Sequence, residues 1–247
     1  MRRFVITAAC VAATALPGHS QQMKPKSRKE AEAINAMLQA QNPDDRIKAA
    51  DNLITNFADT QYKGYALFVE ADAYFQKNDV DKAIVFGEQA TDADPKNFQA
   101  DVLTAKAYAA TVHNNDLDKA DKVAKIKKFA DAAISNLATA QKPNANLPDD
   151  QWASVKKDLE GQADFALGIA AVYSDKPDEA NTDFQKTADN DQDPTDLIRA
   201  ARAYIDVHKP DQAIPWLDKA AASPQANAQI KSIAAQDKAR AQAMMKK

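Results

Sequence analysis

Beyond the first twenty residues, two histidines are the side chains best suited to acid–base or metal chemistry. His208 lies in the stretch "VHKPDQ" and His113 begins the stretch "HNNDLD". Neither has a second histidine, a cysteine or an HExxH arrangement near it in the sequence, so a zinc site lacks ligands. We interpret both histidines as exposed turn residues.

Motifs for nucleophilic catalysis and nucleotide binding are missing from the sequence. It contains no GxSxG elbow, no phosphate-binding glycine-rich loop and no dinucleotide fingerprint. Its many carboxylates alternate with lysines, a pattern typical of solvated helix faces. We therefore predict that the protein is not an enzyme and uses no cofactor and no metal. An enzyme with an unrecognised kind of site is the alternative.

A cluster of lysines could attract anions. The stretch "DKADKVAKIKK" (118–128) places five lysines around Leu117, Val123 and Ile126, and these lysines are Lys119, Lys122, Lys125, Lys127 and Lys128. One interpretation is an amphipathic helical extension with a solvated basic face. The alternative is a docking surface for an anionic envelope surface, such as lipid headgroups or cell-wall polymer.

Composition favours helices and a protein partner over a nucleic acid. The chain has 247 residues, only 5 glycines, a formal net charge of −3 and a pI near 5.7. Alanine, lysine, aspartate and glutamine abound while β-branched residues are few, which favours helices over strands. A dedicated nucleic-acid binder would normally carry a clear basic surplus. We predict an all-α protein that binds no nucleic acid.

The first twenty residues have the layout of a secretory signal peptide. Arg2 and Arg3 precede an apolar run from Phe4 to Leu16, and a Pro-Gly pair then leads to Ser20. The run is shorter than the ~20 residues that a transmembrane helix needs. We therefore expect residues 1–20 to be removed and the mature chain to be periplasmic or secreted, without a transmembrane segment. Lipidation at Cys10 is the alternative to plain cleavage.

An alanine pattern recurs along the chain. Ala83 and Ala90 stand seven residues apart and are followed by Pro95. Residues seven apart lie on one helix face, where alanine lets another helix approach closely, and proline ends the helix. Further copies are Ala213/Ala220/Pro224, Ala133/Ala140/Pro143, Ala180 with Thr187, and a weaker one at Ala49.

A partner helix precedes the clearer copies of this pattern. Ala71 and Ala201 lie twelve residues before Ala83 and Ala213, and each is followed three residues later by a tyrosine, Tyr74 or Tyr204. Gly168 occupies the corresponding position before Ala180. A small residue followed by an aromatic one predicts a first helix that receives the second helix closely. The two tryptophans, Trp152 and Trp216, are interpreted as core residues.

These residues resemble the signature of the tetratricopeptide repeat (TPR) family, whose unit is a helix-turn-helix of 34 residues. The segment from Gly64 to Asn97 matches with Leu67, Ala71, Tyr74, Ala83, Ala90 and Pro95, but Glu70 and Gly87 depart from the usual leucine and aromatic. The resemblance implies a right-handed solenoid of about five antiparallel helix pairs with a C-terminal capping helix. A plain antiparallel bundle is the alternative.

We divide the chain into the signal peptide 1–20 and one helical domain 21–247. Its repeats run approximately 30–63, 64–97, 98–143, 144–193 and 194–227, and the cap covers 228–247. Two departures from a 34-residue spacing are attributed to inserts. Residues 113–128 should lengthen the second helix of the third pair, and residues 142–154 should form a loop that leads into a lengthened first helix.

The resemblance also implies a concave groove lined by the first helix of each pair, which would bind a peptide or protein. Transferred by repeat position, its wall consists of Tyr65, Phe68, Asp72, Phe75, Val102, Lys106, Phe165, Ile169, Ile198, Arg202 and Ile205. Phe68, Val102, Phe165 and Ile198 replace the Lys and Asn of the family's clamp for C-terminal carboxylates, so we do not expect that activity. The alternative function is structural: an oligomeric envelope component assembled through insert 113–128 or the final helix.

Overall fold

The described part of the chain is entirely helical. The computed structural model describes residues 23–143, 146–190 and 193–246, and within these ranges it contains eleven helices and no strand. The predicted signal peptide, including Cys10, lies outside the described residues. The helices are α1 (Arg28–Gln39), α2 (Pro43–Asn56), α3 (Lys63–Gln76), α4 (Val80–Ala93), α5 (Phe98–Thr111), α6 (Lys119–Thr139), α7 (Asp149–Tyr173), α8 (Pro177–Asn190), α9 (Pro194–Asp206), α10 (Pro210–Ala222) and α11 (Ala228–Met244).

Short polar side chains begin many of these helices. Ser27, Asn42, Asn97 and Asn227 each accept a hydrogen bond from a backbone N–H in the first turn, with donor–acceptor distances of 2.9–3.1 Å. Such caps satisfy N–H groups that have no partner inside the helix. Proline, which suits the first helical position, is the first residue of α2, α8, α9 and α10.

Consecutive helices pack as pairs, which confirms the predicted fold class. Helices α1/α2, α3/α4, α5/α6, α7/α8 and α9/α10 form the five pairs, and α11 packs on α10 as the capping helix. Helix α6 has 21 residues and α7 has 25, against 12–14 in the other paired helices. The two inserts therefore lengthen the helices that the sequence indicated. None of the helices in the described ranges is long and apolar enough to cross a bilayer.

The alanine seam is buried between the paired helices. Ala83, Ala90, Ala133, Ala180, Ala213 and Ala220 are all fully inaccessible to solvent, as are Ala71 and Ala201 in the partner helices. At Gly168 the approach is closer still, because an added Cβ would lie 2.3 Å from Cε1 of Phe184. The small residues thus let the backbones of each pair approach.

Two members of the seam differ from the sequence prediction. In α2 the buried alanine is Ala50, while Ala49 is only half-buried. In α6 the helix ends before Ala140, which is its half-buried C-cap, and Leu137 fills the core position instead. The departure at Ala49 lies in the weakest copy of the pattern. The departure at Ala140 arises because α6 ends at the residue before it.

A common turn joins the two helices within three of the pairs. Asn78, Asp175 and His208 have left-handed backbone conformations, with φ of 60°, 57° and 59°. In the third of these turns the N–H of His208 donates to the carbonyl of Ile205, and the N–H of Lys209 donates to the carbonyl of Tyr204. This is the bonding expected of a left-handed helix C-terminus. The same left-handed turn thus recurs in the second, fourth and fifth pairs.

Buried apolar residues are distributed unevenly along the solenoid. The largest core cluster runs from α5 to α11 without a break. A separate cluster holds α1, α2 and the start of α3, and a small cluster of Leu67, Ala90 and Ala100 links α3, α4 and α5. Trp216 belongs to the large cluster and Trp152 to a further one with Phe98 and Leu137, as predicted for core tryptophans.

Candidate partner-binding groove

The first helices of the last four pairs form one side of the molecule. Helix α5 contacts α3 and α7, and α7 also contacts α9. Two adjoining clefts lie along these helices. The one we call the aromatic cleft has a volume of about 280 Å³ and is lined from α3, α5 and α7. The basic cleft, of about 440 Å³, is lined mainly from α5, α7, α9 and α11.

The eleven predicted wall residues largely converge on these two clefts. The aromatic cleft contains Phe68, Asp72, Phe75, Val102 and Lys106. The basic cleft contains Lys106, Phe165, Ile169, Arg202 and Ile205. Tyr65 and Ile198 line neither. That these residues contact a partner remains a prediction.

Burial divides the wall residues into a floor and a rim. Val102, Phe165, Ile169 and Ile205 are almost completely buried, so only a small part of each side chain faces the clefts. The rim consists of Phe68, Asp72 and Phe75, which are half-buried, and of Arg202, which is exposed. The Lys106 side chain is only 11% exposed and belongs to the floor. The rim residues are therefore the ones that a ligand can contact extensively.

The two wall residues that line neither cleft, Tyr65 and Ile198, pack against or within the hydrophobic core. Tyr65 and Phe68 have ring centroids 6.0 Å apart, and both pack against the core cluster of α1 and α2. Burial raises the pKa of Tyr65, since the charged phenolate is disfavoured away from water. Ile198 is only 2% exposed and belongs to the large core cluster.

An ion pair separates the two clefts. The Nζ atom of Lys106 on α5 lies 2.8 Å from Oδ2 of Asp196 on α9, and 3.2 Å from Oε1 of Gln162 on α7. Arg199 reaches the other carboxylate oxygen of Asp196 at 3.1 Å. Because Lys106 lines both clefts, this pair forms the boundary between them.

Further charged groups fix the rim. Arg46 on α2 contacts Asp72 in the aromatic cleft at 2.6 Å. Arg202 on α9 contacts Asp237 on α11, also at 2.6 Å. These contacts hold the rim side chains in defined positions and leave polar atoms facing the clefts.

Asp206 organises the far end of the basic cleft. Its Oδ2 atom accepts hydrogen bonds from the Tyr173 hydroxyl at 2.9 Å and from the backbone N–H of Asn114 at 2.8 Å. Burial, together with the adjacent Asp206 carboxylate, raises the pKa of Tyr173 well above its ordinary value. His113 Nδ1 lies 4.0 Å from the same oxygen, and its side chain is 66% exposed. The exposed-turn interpretation of His113 is consistent with this position.

Several cleft residues lie outside the predicted wall. Arg199, Tyr173 and Asn78 line the basic cleft, and Arg240 enters it from the capping helix. The repeat register gave no indication of Arg240, because α11 lies outside the five repeats from which the wall was transferred. Arg199 stands next to Ile198 in sequence, so a wider selection at that repeat position would have included it.

The lysines of the insert are largely engaged within the molecule. Lys122 Nζ lies 2.8 Å from Asp116 and 3.1 Å from Asp118, and Lys125 Nζ lies 2.6 Å from Glu88. Lys119 donates to the Asn114 side chain, and Lys128 lies over the ring of Phe129. These contacts reduce the positive charge available to an anionic surface.

A solved structure of a TPR protein is similar to this chain. It is the crystal structure of a thermophilic TPR protein in Thermus thermophilus, with 15% sequence identity and a TM-score of 0.49. That similarity covers 84% of this chain and 98% of the other. No family model matches the chain, and no curated protein matches its sequence.

A metal centre finds no support in the geometry of the groove or its surroundings. Within the described ranges, no group of three or more His, Cys, Asp or Glu residues is arranged to hold a metal ion. The two clefts combine an apolar floor, an aromatic rim and charged side chains.

Proposed function

We propose that the protein is a non-catalytic interaction scaffold that binds a peptide or protein partner in the groove formed by the first helices. The observation that carries this proposal is the convergence of nine predicted wall residues on two adjoining clefts, which share Lys106. Extended concave surfaces of stacked helix pairs are suited to recognition of other chains.

The groove combines the features of a peptide site. Phe68 and Phe75 offer aromatic anchors in the aromatic cleft, and Arg202 offers a charged anchor in the basic cleft. Aromatic and arginine contacts dominate many protein interfaces. Both clefts are open to the surface along the same helices, so one extended or helical segment can engage them together.

Site-specific crosslinking tests this function. A photoreactive benzoylphenylalanine at Phe75 should form adducts with the partner in the native cell envelope. The same group at Gln89, an exposed residue of second helix α4, is the matched control and should form none. Adducts formed equally from both positions, or only from a probe at Lys127 in the insert, would contradict groove binding.

We also propose that the mature protein is exported, on the basis of the signal-peptide layout of residues 1–20. Intact-mass analysis of the protein from its source cell should show a chain that begins at Gln21. An uncleaved Met1, or a lipid on Cys10, would contradict plain cleavage.

A further inference from the structure

The basic cleft is locally positive although the chain as a whole is acidic. Four cationic side chains line it, namely Lys106, Arg199, Arg202 and Arg240. Three carboxylates lie in it or pair with these cations: Asp206 in the lining, Asp196 beside Lys106 and Asp237 beside Arg202. A fourth, Asp116, accepts a hydrogen bond from the backbone N–H of His113 and is itself paired with Lys122. With Lys122 included, five positive charges against four negative leave a surplus of one, whereas the chain carries −3. The cleft is therefore more favourable for an anionic group than the average of this acidic chain would suggest.

Arg202 and Arg240 are the cations best placed to meet a ligand. The side chain of Arg202 is 53% exposed even with Asp237 bound to it, and Arg240 is exposed. By contrast, Lys106 is 11% exposed and held by Asp196. An incoming carboxylate would thus encounter the two arginines first.

The floor beneath these arginines is apolar. Phe165, Ile169 and Ile205 form part of it, and each is almost completely buried. The cleft volume of about 440 Å³ falls within the range of specific ligand sites, roughly 300–1,000 Å³. A ligand for this cleft should therefore combine a carboxylate with an adjoining apolar group.

We infer that the basic cleft binds an acidic side chain of the partner. Arg202 and Arg240 hold its carboxylate, and a neighbouring apolar side chain of the partner lies on Phe165 and Ile169. This inference rests on the proposed function and specifies the chemistry of its ligand. It also gives the capping helix α11 a role in recognition, because Arg240 belongs to that helix.

Asp237 competes with such a ligand. Its Oδ2 atom lies 2.6 Å from Nε of Arg202. Asp237 therefore occupies one hydrogen-bonding edge of the guanidinium group, which the ligand also needs. Arginine offers carboxylates paired N–H donors in a fixed geometry. Replacing Asp237 by Asn keeps the shape of the side chain but removes its charge, so Asp237→Asn should strengthen binding of an acidic segment.

Defined peptides test the inference. The probes are fluorescein-labelled hexapeptides that alternate Glu with Phe or Leu and have amidated C-termini, and their counterparts carry Gln in place of Glu. Fluorescence anisotropy at low salt should show at least about tenfold tighter binding of the Glu peptides. Arg240→Glu should abolish this preference, and Asp237→Asn should increase it. Lys238→Glu is the matched control on the same helix, where Lys238 contacts Asp218 instead of the cleft, and should change affinity by less than about twofold.

Three outcomes would overturn the inference. Equal binding of Glu and Gln peptides would remove the carboxylate requirement and leave groove binding intact. An equal loss in Arg240→Glu and Lys238→Glu would indicate overall charge and not the cleft. Absence of binding by every Glu hexapeptide would also overturn it, while crosslinking from Phe75 decides separately whether the groove binds any partner.

Discussion

The ammonium group of Lys106 lies 2.8 Å from the carboxylate of Asp196, and this contact joins the third helix pair directly to the fifth. Lys106 is 11% exposed and Asp196 is fully buried. The chain between them includes the two longest helices, α6 and α7, so the pair closes a long loop. This ion pair therefore fixes the boundary between the aromatic cleft and the basic cleft.

Removing one partner of this pair should cost stability. Lys106→Met takes the ammonium group away from the Asp196 carboxylate, which keeps its contact with Arg199, and we expect a loss of about 1–3 kcal/mol in the free energy of unfolding. The control is Lys238→Met, which removes a more exposed pair with Asp218 and should cost no more than about 1 kcal/mol. Chemical denaturation measures both, and equal losses would show that the Lys106 pair is not a buried constraint.

The close approach of α7 and α8 predicts an unusual glycine effect. A helical Gly→Ala change ordinarily stabilises by about 1 kcal/mol. At Gly168, however, the new Cβ would lie 2.3 Å from Phe184, and we expect Gly168→Ala to destabilise by about 1–3 kcal/mol through overpacking. The loss should be smaller when Phe184→Leu is already present. A double-mutant cycle that shows no coupling would contradict this packing.

The alanine seam should reject larger side chains. Ala83 is fully buried in α4, and Ala83→Leu should destabilise by about 1–3 kcal/mol because the paired helix leaves no room. Gln89 is exposed on the same helix, so Gln89→Leu should change stability by less than about 0.5 kcal/mol. Similar melting of the two variants would contradict the repeat register.

Two buried carboxyl groups predict a loss of stability towards neutral pH. Burial raises the pKa of Glu70 to about 7 from 4.5, and burial likewise raises that of Asp101 to about 7 from 3.8. The folded state therefore holds these protons more tightly than the unfolded state. The contribution of these two groups to stability should be fully present below their unfolded pKa values and fall as pH rises to about 7, by an amount on the order of 3 kcal/mol for each group.

Glu70→Gln tests this pH dependence. The variant cannot ionise at this position, so it should gain stability over the parent protein at about pH 8 and gain little at about pH 4.5. Glu32→Gln is the control, because Glu32 is exposed beside Arg28, and it should leave the pH profile unchanged. Unfolding monitored from about pH 4 to about pH 8 measures both. A parent profile that rises between about pH 5 and 7 would contradict the assignment.

The left-handed turns predict that glycine substitutions at these positions stabilise the protein, most of all at His208. His208 has φ of 59°, a conformation that a β-carbon disfavours and glycine adopts freely. His208→Gly should therefore raise stability by up to about 1 kcal/mol. Asn78 has the same conformation, but asparagine tolerates it better, so Asn78→Gly should gain less. Thermal melts compare the two, and a loss in His208→Gly would show that its side chain contributes a contact that outweighs the strain.

The sequence was sufficient to predict the helix pairs because their signals are local. Ala71, Ala83 and Ala90 report close packing through residue size at fixed offsets, and the inserts could be located as departures from that spacing. Where the pattern was weak the prediction was wrong by one residue, since Ala49 was selected although its neighbour Ala50 is the buried one. A pattern of small residues identifies the buried face of a helix, but it does not distinguish between two adjacent residues at the edge of that face.

The sequence predicted which helices line the clefts, but it did not predict how the charged side chains are arranged there. Repeat position placed Lys106 and Arg202 on the same side of the molecule, and both line the basic cleft because the first helices of successive pairs align. The pairing of Lys106 with Asp196, and the entry of Arg240 from α11, depend on how far the solenoid curves. Curvature arises from small rotations at every interface, and no single sequence position encodes it.

The division of the core has a mechanical consequence. One apolar cluster connects everything from α5 onward, and the Lys106–Asp196 pair ties that block together, whereas the first two pairs depend on smaller clusters. The chain should therefore have a stiff C-terminal end and a compliant N-terminal end. In native-state hydrogen exchange, amides of α1–α4 would open through partial unfolding at lower free energy than those of α7 and α9.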